Sequence, residues 1–458
     1  MKTRITLLTL FFLAINVSFA QQEECMTKLS IFHEYVKGKN FEAAFEPWSE
    51  VRRDCPNFNI AIYSDGEKIL NDKIEKATGA DKAAAIKDLI TLWDERATHF
   101  PDKTAKGEYL AKGCQLMYDN KAEMNMTNEE LFKCFDDAFK ADRATFTNPK
   151  SLYTYFSLMV DLFDAGKKTD AELFDKYDDV VEKVEEEVEN YSENLNVIIE
   201  KEAAGTALTK TEDKYKPYYE SYLKAYDQIS SGIDQKLGDR ANCTNLIPLY
   251  VKDFENNKTN AVWLQRAAAK MSEKECTDDP LFFKLVNAYH DLSPSANSAY
   301  YLGILKDKEG KSREAIAFYK QAIDLETDDF KKSKLTNRIG LKLKSAGNFS
   351  AARNYFREAL KYNPSNGRPH LSIAGMYASS ANSCGDDAFN KRAVFWLAAE
   401  EARKASRVDP TLSRDAANTA ENYSSKAPSK ADIFSKGNSG EVIKIGCWIG
   451  ASVTVPSI

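Results

Sequence analysis

The sequence predicts an all-α fold: an α-solenoid of stacked helical hairpins, with one long antiparallel helical hairpin inserted and a short C-terminal β-hairpin. Three features lead there. Residues 296–364 hold two tandem copies of a helical pattern, Leu302 and Gly303 followed by Ala315, Tyr319 and Ala322, then Ile339 and Gly340 followed by Ala352, Phe356, Ala359 and Pro364. Residues 169–237 carry apolar side chains at alternating three- and four-residue steps, as long helices packed along a seam do. After Glu441 the apolar period falls to two, which belongs to strands.

At the amino end, Lys2 and Arg4 precede an apolar run from Ile5 to Ile15, and Ser18 and Ala20 occupy the small-residue positions of a signal-peptidase site. Residues 1–20 therefore read as a signal peptide cleaved before Gln21. The run is shorter than the ~20 residues of a spanning helix, and no later stretch is apolar enough to span. Glu23 and Glu24 stand before Cys25 in place of the residues of a lipoprotein box, which argues against a lipid anchor. The mature chain is expected to be soluble, exported and periplasmic, with peripheral association at the inner or outer membrane left open. Losing Lys2 and Arg4 takes the net charge from −6 to about −8. Nucleic acid is not an expected partner at that sign, because phosphate binding needs a basic face.

Residues 21–168 read as N-terminal helical repeats. Ile31, Phe32 and Tyr35, a turn at 37–40, then Ala44, Trp48, Val51 and Pro56 fall at the relative positions of the later copies. Gly66, Leu89, Trp93 and Pro101 follow with an extra turn between the helices. A third unit runs to about Phe146, its second helix opened by a capping box of Thr127 and Glu130 and continued by Leu131, Phe135 and Ala138.

Residues 169–240 are expected to form the long hairpin. Thr169 and Glu172 cap a first seam of Leu173, Tyr177, Val180, Val184, Val188, Tyr191, Leu195 and Ile198. After a break at 203–210, Thr209 and Glu212 cap a second seam of Tyr219, Tyr222, Tyr226, Ile229, Ile233 and Leu237, with a kink expected at Pro217. Residues 169–202 would reach ~50 Å at 1.5 Å per residue, so a projection is expected. The acidic cluster Glu182–Glu189 lies on it and reads as a solvated helix face, the alternative being a site for a basic partner.

Residues 241–425 hold the C-terminal repeats: a helix pair over 241–276, a helix from Asp279 to His290, the two clear copies, and a third copy beginning at Ile373, Ala374 and Tyr377. That third copy is interrupted by a polar insertion over 379–391 and resumes before Pro410. Small residues where two helices approach and an aromatic beside them resemble the tetratricopeptide repeat (TPR) family. The copies are offset by 37 residues, because 328–334 lengthens the connection. The resemblance implies a TPR-like solenoid that binds a protein or peptide along the concave surface of its first helices, at Tyr300, Ile304, Asp307, Asn337, Leu341 and Lys344. The carboxylate-clamp subclass of the family would want Lys and Asn where this chain has Tyr300 and Ile304, so that subclass is not matched. The order of blocks, ending in Cys447, Trp448 and Ile449, also resembles exported TPR proteins of Bacteroidota.

Residues 426–458 read as a linker and a β-hairpin, with Val442, Ile443 and Ile445 before Gly446 and Val453 and Val455 after Gly450. The hairpin either caps the solenoid or offers an edge to a partner strand.

All eight cysteines follow the cleavage site. Cys114 and Cys134 lie at equal distances from Met124, and Cys25 and Cys55 from Asn40, so an antiparallel hairpin brings each pair to one height. Cys243 and Cys276 flank the turn at 255–260 less symmetrically, and elimination leaves Cys384 with Cys447. Each local bridge would stabilise its hairpin by ~3 kcal/mol. The alternative is free or differently paired thiols. Zinc is disfavoured, since no CxxC occurs.

No catalytic, cofactor-binding or metal-binding motif is present, and His33, His99, His290 and His370 are scattered among different repeats. The expectation is a non-enzymatic, cofactor-free adaptor for a protein partner in the cell envelope. The alternatives are a chaperone-like holdase using the long hairpin and, more weakly, a polysaccharide-binding protein or enzyme.

Overall fold

The computed structural model describes residues 22–458, so the expected signal peptide and the cleavage before Gln21 lie outside the described residues. The chain divides into two compact units, one ending at Lys176 and one running from Tyr177 to Ile458.

In the first unit, helix 22–37 turns into Phe41–Asp54, whose start is capped by Asn40 accepting the Ala43 N–H. Ala61–Lys76, Gly79–His99, Lys106–Asp119 and Asn128–Ala141 follow, the last opened by the Thr127–Glu130 capping box. Phe32, Trp48, Ile62, Leu70, Ile86 and Leu89 form a continuous core. Trp48 Nε1 donates to the Ile62 carbonyl at 2.7 Å, and its ring rests on Gly66, where a Cβ would stand 2.6 Å from it. Beyond the third expected unit, within the expected block 21–168, the helix Pro149–Asp164 completes that block, with Leu152, Tyr155, Phe156 and Leu158 fully buried. Tyr155 lies against Phe132, Phe135, Phe139 and Phe146.

The helix Asp170–Ala203 crosses the boundary, and within the second unit it packs antiparallel to Lys210–Leu237. The Tyr177 hydroxyl donates to Asp234 at 2.6 Å, the Tyr191 and Tyr222 rings stack at 4.9 Å, and Lys201 pairs with Glu212 beside the connecting turn. The second helix runs through Pro217.

Helices Cys243–Asn257, Ala261–Glu273 and Pro280–Leu292 lead into the two clear repeats, Ala296–Lys308 with Ser312–Leu325 and Asp329–Ser345 with Phe349–Tyr362. The glycines act as the repeat requires. A Cβ at Gly303 would stand 2.3 Å from the Tyr319 ring, and one at Gly340 2.7 Å from Phe356. Arg368–Ser379 and Ala388–Val408 make the third pair, followed by Ser413–Lys426 and Lys430–Lys436, helices that the sequence reading did not resolve.

Strands Val442–Ile445 and Ala451–Thr454 pair antiparallel, with Val442 opposite Thr454. Ile445 and Ile449 are buried with Met376, Tyr377 and Val394. Trp448 Nε1 donates to Ser380 Oγ at 3.0 Å, and Arg353 donates to the Ile449 carbonyl at 2.5 Å. The hairpin is thus seated on the last helices by apolar burial and backbone bonding together.

Four disulfides join Cys25 to Cys55, Cys114 to Cys134, Cys243 to Cys276 and Cys384 to Cys447, with Cα separations of 6.4, 5.8, 5.5 and 5.2 Å. The first three are the pairs that the spacing about a turn predicts, and the fourth is the one left by elimination. Among the described residues no cysteine is free.

Candidate functional site

The long hairpin does not stand clear of the second unit. Its first helix lies against Ala261–Glu273 and Asp329–Ser345 of the C-terminal repeats, its carboxylates on their cations and its apolar side chains Val180, Val184, Leu195 and Ile198 buried. Arg266, on Ala261–Glu273, donates to Glu182 at 2.9 and 3.0 Å and to Asp179 at 3.2 Å. Lys270, one turn on, pairs with Asp178 at 3.0 Å while its ammonium lies 3.5 Å from the centre of the Tyr177 ring. Lys334, on Asp329–Ser345, pairs with Glu185 at 2.6 Å. Beyond it the Ser365 N–H donates to Asn196 Oδ1 at 2.9 Å, and Arg368 reaches Asp227 on the second hairpin helix at 3.1 Å. The expected projection is corrected accordingly: carboxylates at i, i+4 and i+7 of one helical face meet a complementary row of cations inside the same unit.

The acidic cluster is therefore only partly a solvated face. Glu182 and Glu185 meet cations, Glu187 is buried against Lys183 at 2.6 Å, and Glu186 is half exposed. Glu189 is pushed above the usual carboxylate range by burial and by Asp328 beside it. Burial pushes Asp178 up to about 6 in spite of Lys270.

Packing along this groove is incomplete. A cavity of about 330 Å³ opens between Val184, Val188 and Leu223 of the hairpin and Asn337, Arg338 and Asn366 of the repeats. A second, of about 360 Å³, lies towards Arg266, Tyr301 and Glu326. Arg338 lines both.

The six positions expected to face a partner are distributed differently. Tyr300 and Ile304 are buried, with Tyr300 against the Tyr319 ring, and Asp307 accepts the Tyr319 hydroxyl at 2.5 Å. Asn337 lines the first cavity, with its Oδ1 buried and without a hydrogen-bond partner. Leu341 is exposed, and Lys344 is half-buried. The hairpin instead meets Arg266, Lys270, Lys334 and Arg368, which the sequence reading did not single out. A signal existed, since Arg266 with Lys270 and Lys334 with Arg338 are cation pairs at i, i+4, each on one face of its helix.

The histidines are dispersed. His33 pairs with Asp65 and His370 with Glu401, both at 2.6 Å, while His290 meets Ser298 at 2.9 Å and His99 stacks on Tyr63. Among the described residues no three His, Cys, Asp or Glu side chains are grouped to hold a metal, and no helix is long and apolar enough to cross a membrane.

Residues 296–329 and 336–366 match the family model of the tetratricopeptide repeat. The chain therefore carries TPRs in the two hairpins whose glycines lie under Tyr319 and Phe356, and its fold is a TPR-like all-α solenoid with a C-terminal two-stranded sheet. Such repeats typically act as non-catalytic protein-interaction scaffolds. No curated protein matches the chain. Among solved structures it is similar to the human IFIT1 dimer with PPP-AAAA, at 10% identity, covering 88% of this chain and 94% of that one with a TM-score of 0.28. It is likewise similar to the APC/C hetero-tetramer Cut9–Hcn1, at 11% identity over 89% of this chain and 86% of that one, with a TM-score of 0.28. Yeast Tom70 follows at 11%, 90% and 82%, with a TM-score of 0.26. At those scores the likenesses say nothing about partners.

Proposed function

We propose that this protein is an exported scaffold that holds a protein partner in the cell envelope through its C-terminal repeats. The observation that carries the reading is the set of cations on Ala261–Glu273 and Asp329–Ser345 that already meet the carboxylates of one helix. A surface that binds one helix in this way is suited to protein segments rather than to a small reacting molecule. Export is supported by the amino-terminal signal pattern and by four disulfides, which persist in oxidising compartments. The negative net charge disfavours nucleic acid as partner.

A second reading, a holdase for unfolded exported clients, is favoured by one observation. Val197, Tyr215 and Tyr218 are all more than 40% exposed near the far end of the hairpin. The test is affinity purification of the full chain after crosslinking in its native envelope, followed by mass spectrometry. One or two stoichiometric envelope proteins support the scaffold. A broad, substoichiometric set of clients supports the holdase instead, and no captured protein overturns both. An amino terminus at Gln21 on the purified protein is the expected sign of export.

A further inference from the structure

The fit between the acidic helix and its groove leaves one cation unused. Arg266, Lys270, Lys334 and Arg368 each meet a carboxylate of the hairpin. Arg338 lies between the two cavities with the Tyr300 ring centre 5.9 Å away, and among the described residues no carboxylate comes within ion-pairing distance of it. Beside it the Asn337 Oδ1 is buried without a partner. A guanidinium without a carboxylate and an amide oxygen without a donor at the wall of a cavity define a place where a better-fitting segment gains what the resident helix does not supply.

The pairs towards the tip of the hairpin are also exchangeable. The Lys334–Glu185 side chains are 33% and 53% exposed, and those of Arg368–Asp227 58% and 39%. Pairs so accessible to water contribute little individually; an incoming helix replaces the Glu185 carboxylate without net loss, while Asp227 stays in place on the second hairpin helix.

Building on the scaffold reading, we propose that this groove docks an acidic helix of a partner protein, that the hairpin's first helix is its resident competitor, and that the partner adds a carboxylate opposite Arg338. The recognition pattern is the one the hairpin displays, carboxylates at i, i+4 and i+7 as in Asp178, Glu182 and Glu185, with one further acid on the cavity side. Val188 marks that position, because it lines the same cavity as Arg338. The resident helix thus sets a threshold that an acidic helix lacking the extra carboxylate does not pass.

The probe is a fluorescent peptide of residues 177–203 carrying Val188→Glu, titrated against the full chain at low salt. In a chain loosened by Glu182→Gln, Glu185→Gln and Asp227→Asn, the peptide is expected to bind at least tenfold tighter than in the natural chain. Adding Arg338→Gln to the loosened chain is expected to remove at least tenfold of that affinity, and the peptide with Val188 intact to bind more weakly. Equal binding to loosened and natural chains, or indifference to Arg338→Gln, overturns the proposal. If the triple variant loses its helicity, amide exchange in the natural chain serves instead. Excess Val188→Glu peptide is expected to speed exchange across residues 181–196, and unchanged exchange overturns the proposal. A negative result here alongside a stoichiometric crosslinked partner defeats groove docking alone, whereas failure of both experiments defeats the scaffold reading.

Discussion

In the C-terminal repeats Gly303 lies beneath Tyr319 and Gly340 beneath Phe356, so that glycine and ring belong to one hairpin. In the N-terminal unit Phe32 occupies the position of that glycine, and Trp48 rests on Gly66 of the following helix. The steric requirement is the same in both: a large ring fills the space left by a missing Cβ so that two helices can close. Satisfied inside a hairpin, it makes a unit recognisable by its own spacing. Satisfied between hairpins, it couples neighbours and erases the repeat signature. The units differ as well in how they treat charge. Asp136 in the first accepts hydrogen bonds from Lys140, Tyr155 and Lys176 beside the aromatic cluster, whereas Asp178 in the second is buried with one ammonium.

Removing the ring tests the coupling most severely. Trp48→Ala deletes a side chain 1% exposed together with its bond to the Ile62 carbonyl, and should cost about 3–5 kcal/mol in urea unfolding. A loss under 1 kcal/mol would mean that the first unit does not depend on this contact.

The Cys384–Cys447 bridge spans 63 residues, the longest of the four, and anchors a β-hairpin that cannot stand alone. Replacing both cysteines by Ser should cost about 4 kcal/mol and expose the amides of residues 442–454 to rapid exchange. Unchanged exchange there would show that Ile445, Ile449 and the Arg353 bond hold the strands without it.

Gly340→Ala and Gly303→Ala each force an aromatic ring to move, at about 1–3 kcal/mol. The loss should be confined to the second unit, as read by the exchange of its amides. For Gly66→Ala the effect should instead spread to Phe41–Asp54, since the displaced ring belongs there.

The two partly buried aspartates should give opposite pH signatures. Burial alone would raise Asp136, but its hydrogen bonds more than offset this and hold it at about 2, against the ordinary 3.8. Its stabilisation is complete above about pH 4 and is lost as the pH falls towards 2. Asp178 sits at about 6 against 3.8, so the folded state binds the extra proton between those values. It withholds stability above pH 6 and returns it as the pH falls from 6 to 4. In urea midpoints measured against pH, Asp136→Asn should flatten the limb below 4 and Asp178→Asn the limb between 4 and 6. A shared response to both substitutions would contradict the assignment.

What the sequence made legible follows from these contrasts. The repeats at 296–364 were readable because each keeps its glycine, aromatic and alanines at fixed spacing, and the hairpin helices because the Thr169–Glu172 and Thr209–Glu212 capping boxes mark their starts. Three of the cysteine pairs were readable because turns fix which residues of a helical hairpin share a height, and the fourth only by elimination. The helix Pro149–Asp164 was not, since burial on nearly every side leaves no apolar stripe, and only Asn148 followed by Pro149 marked its start. The place of the hairpin was least legible. An acidic run reads alike whether it faces water or a cation, and the hairpin's partners Arg266, Lys270, Lys334 and Arg368 are dispersed over about a hundred residues and gathered only by stacking.

The central claim is that the acidic helix lies along the C-terminal repeats with its carboxylates set on their cations, and a charge swap tests it most directly. Lys334→Glu and Glu185→Lys should each speed amide exchange over residues 181–196, because each places like charges where a 2.6 Å pair stood. Combining the two should return exchange to its natural rate. If the double variant exchanges as fast as the sum of the singles, the pair does not exist in solution and the hairpin is not seated as described.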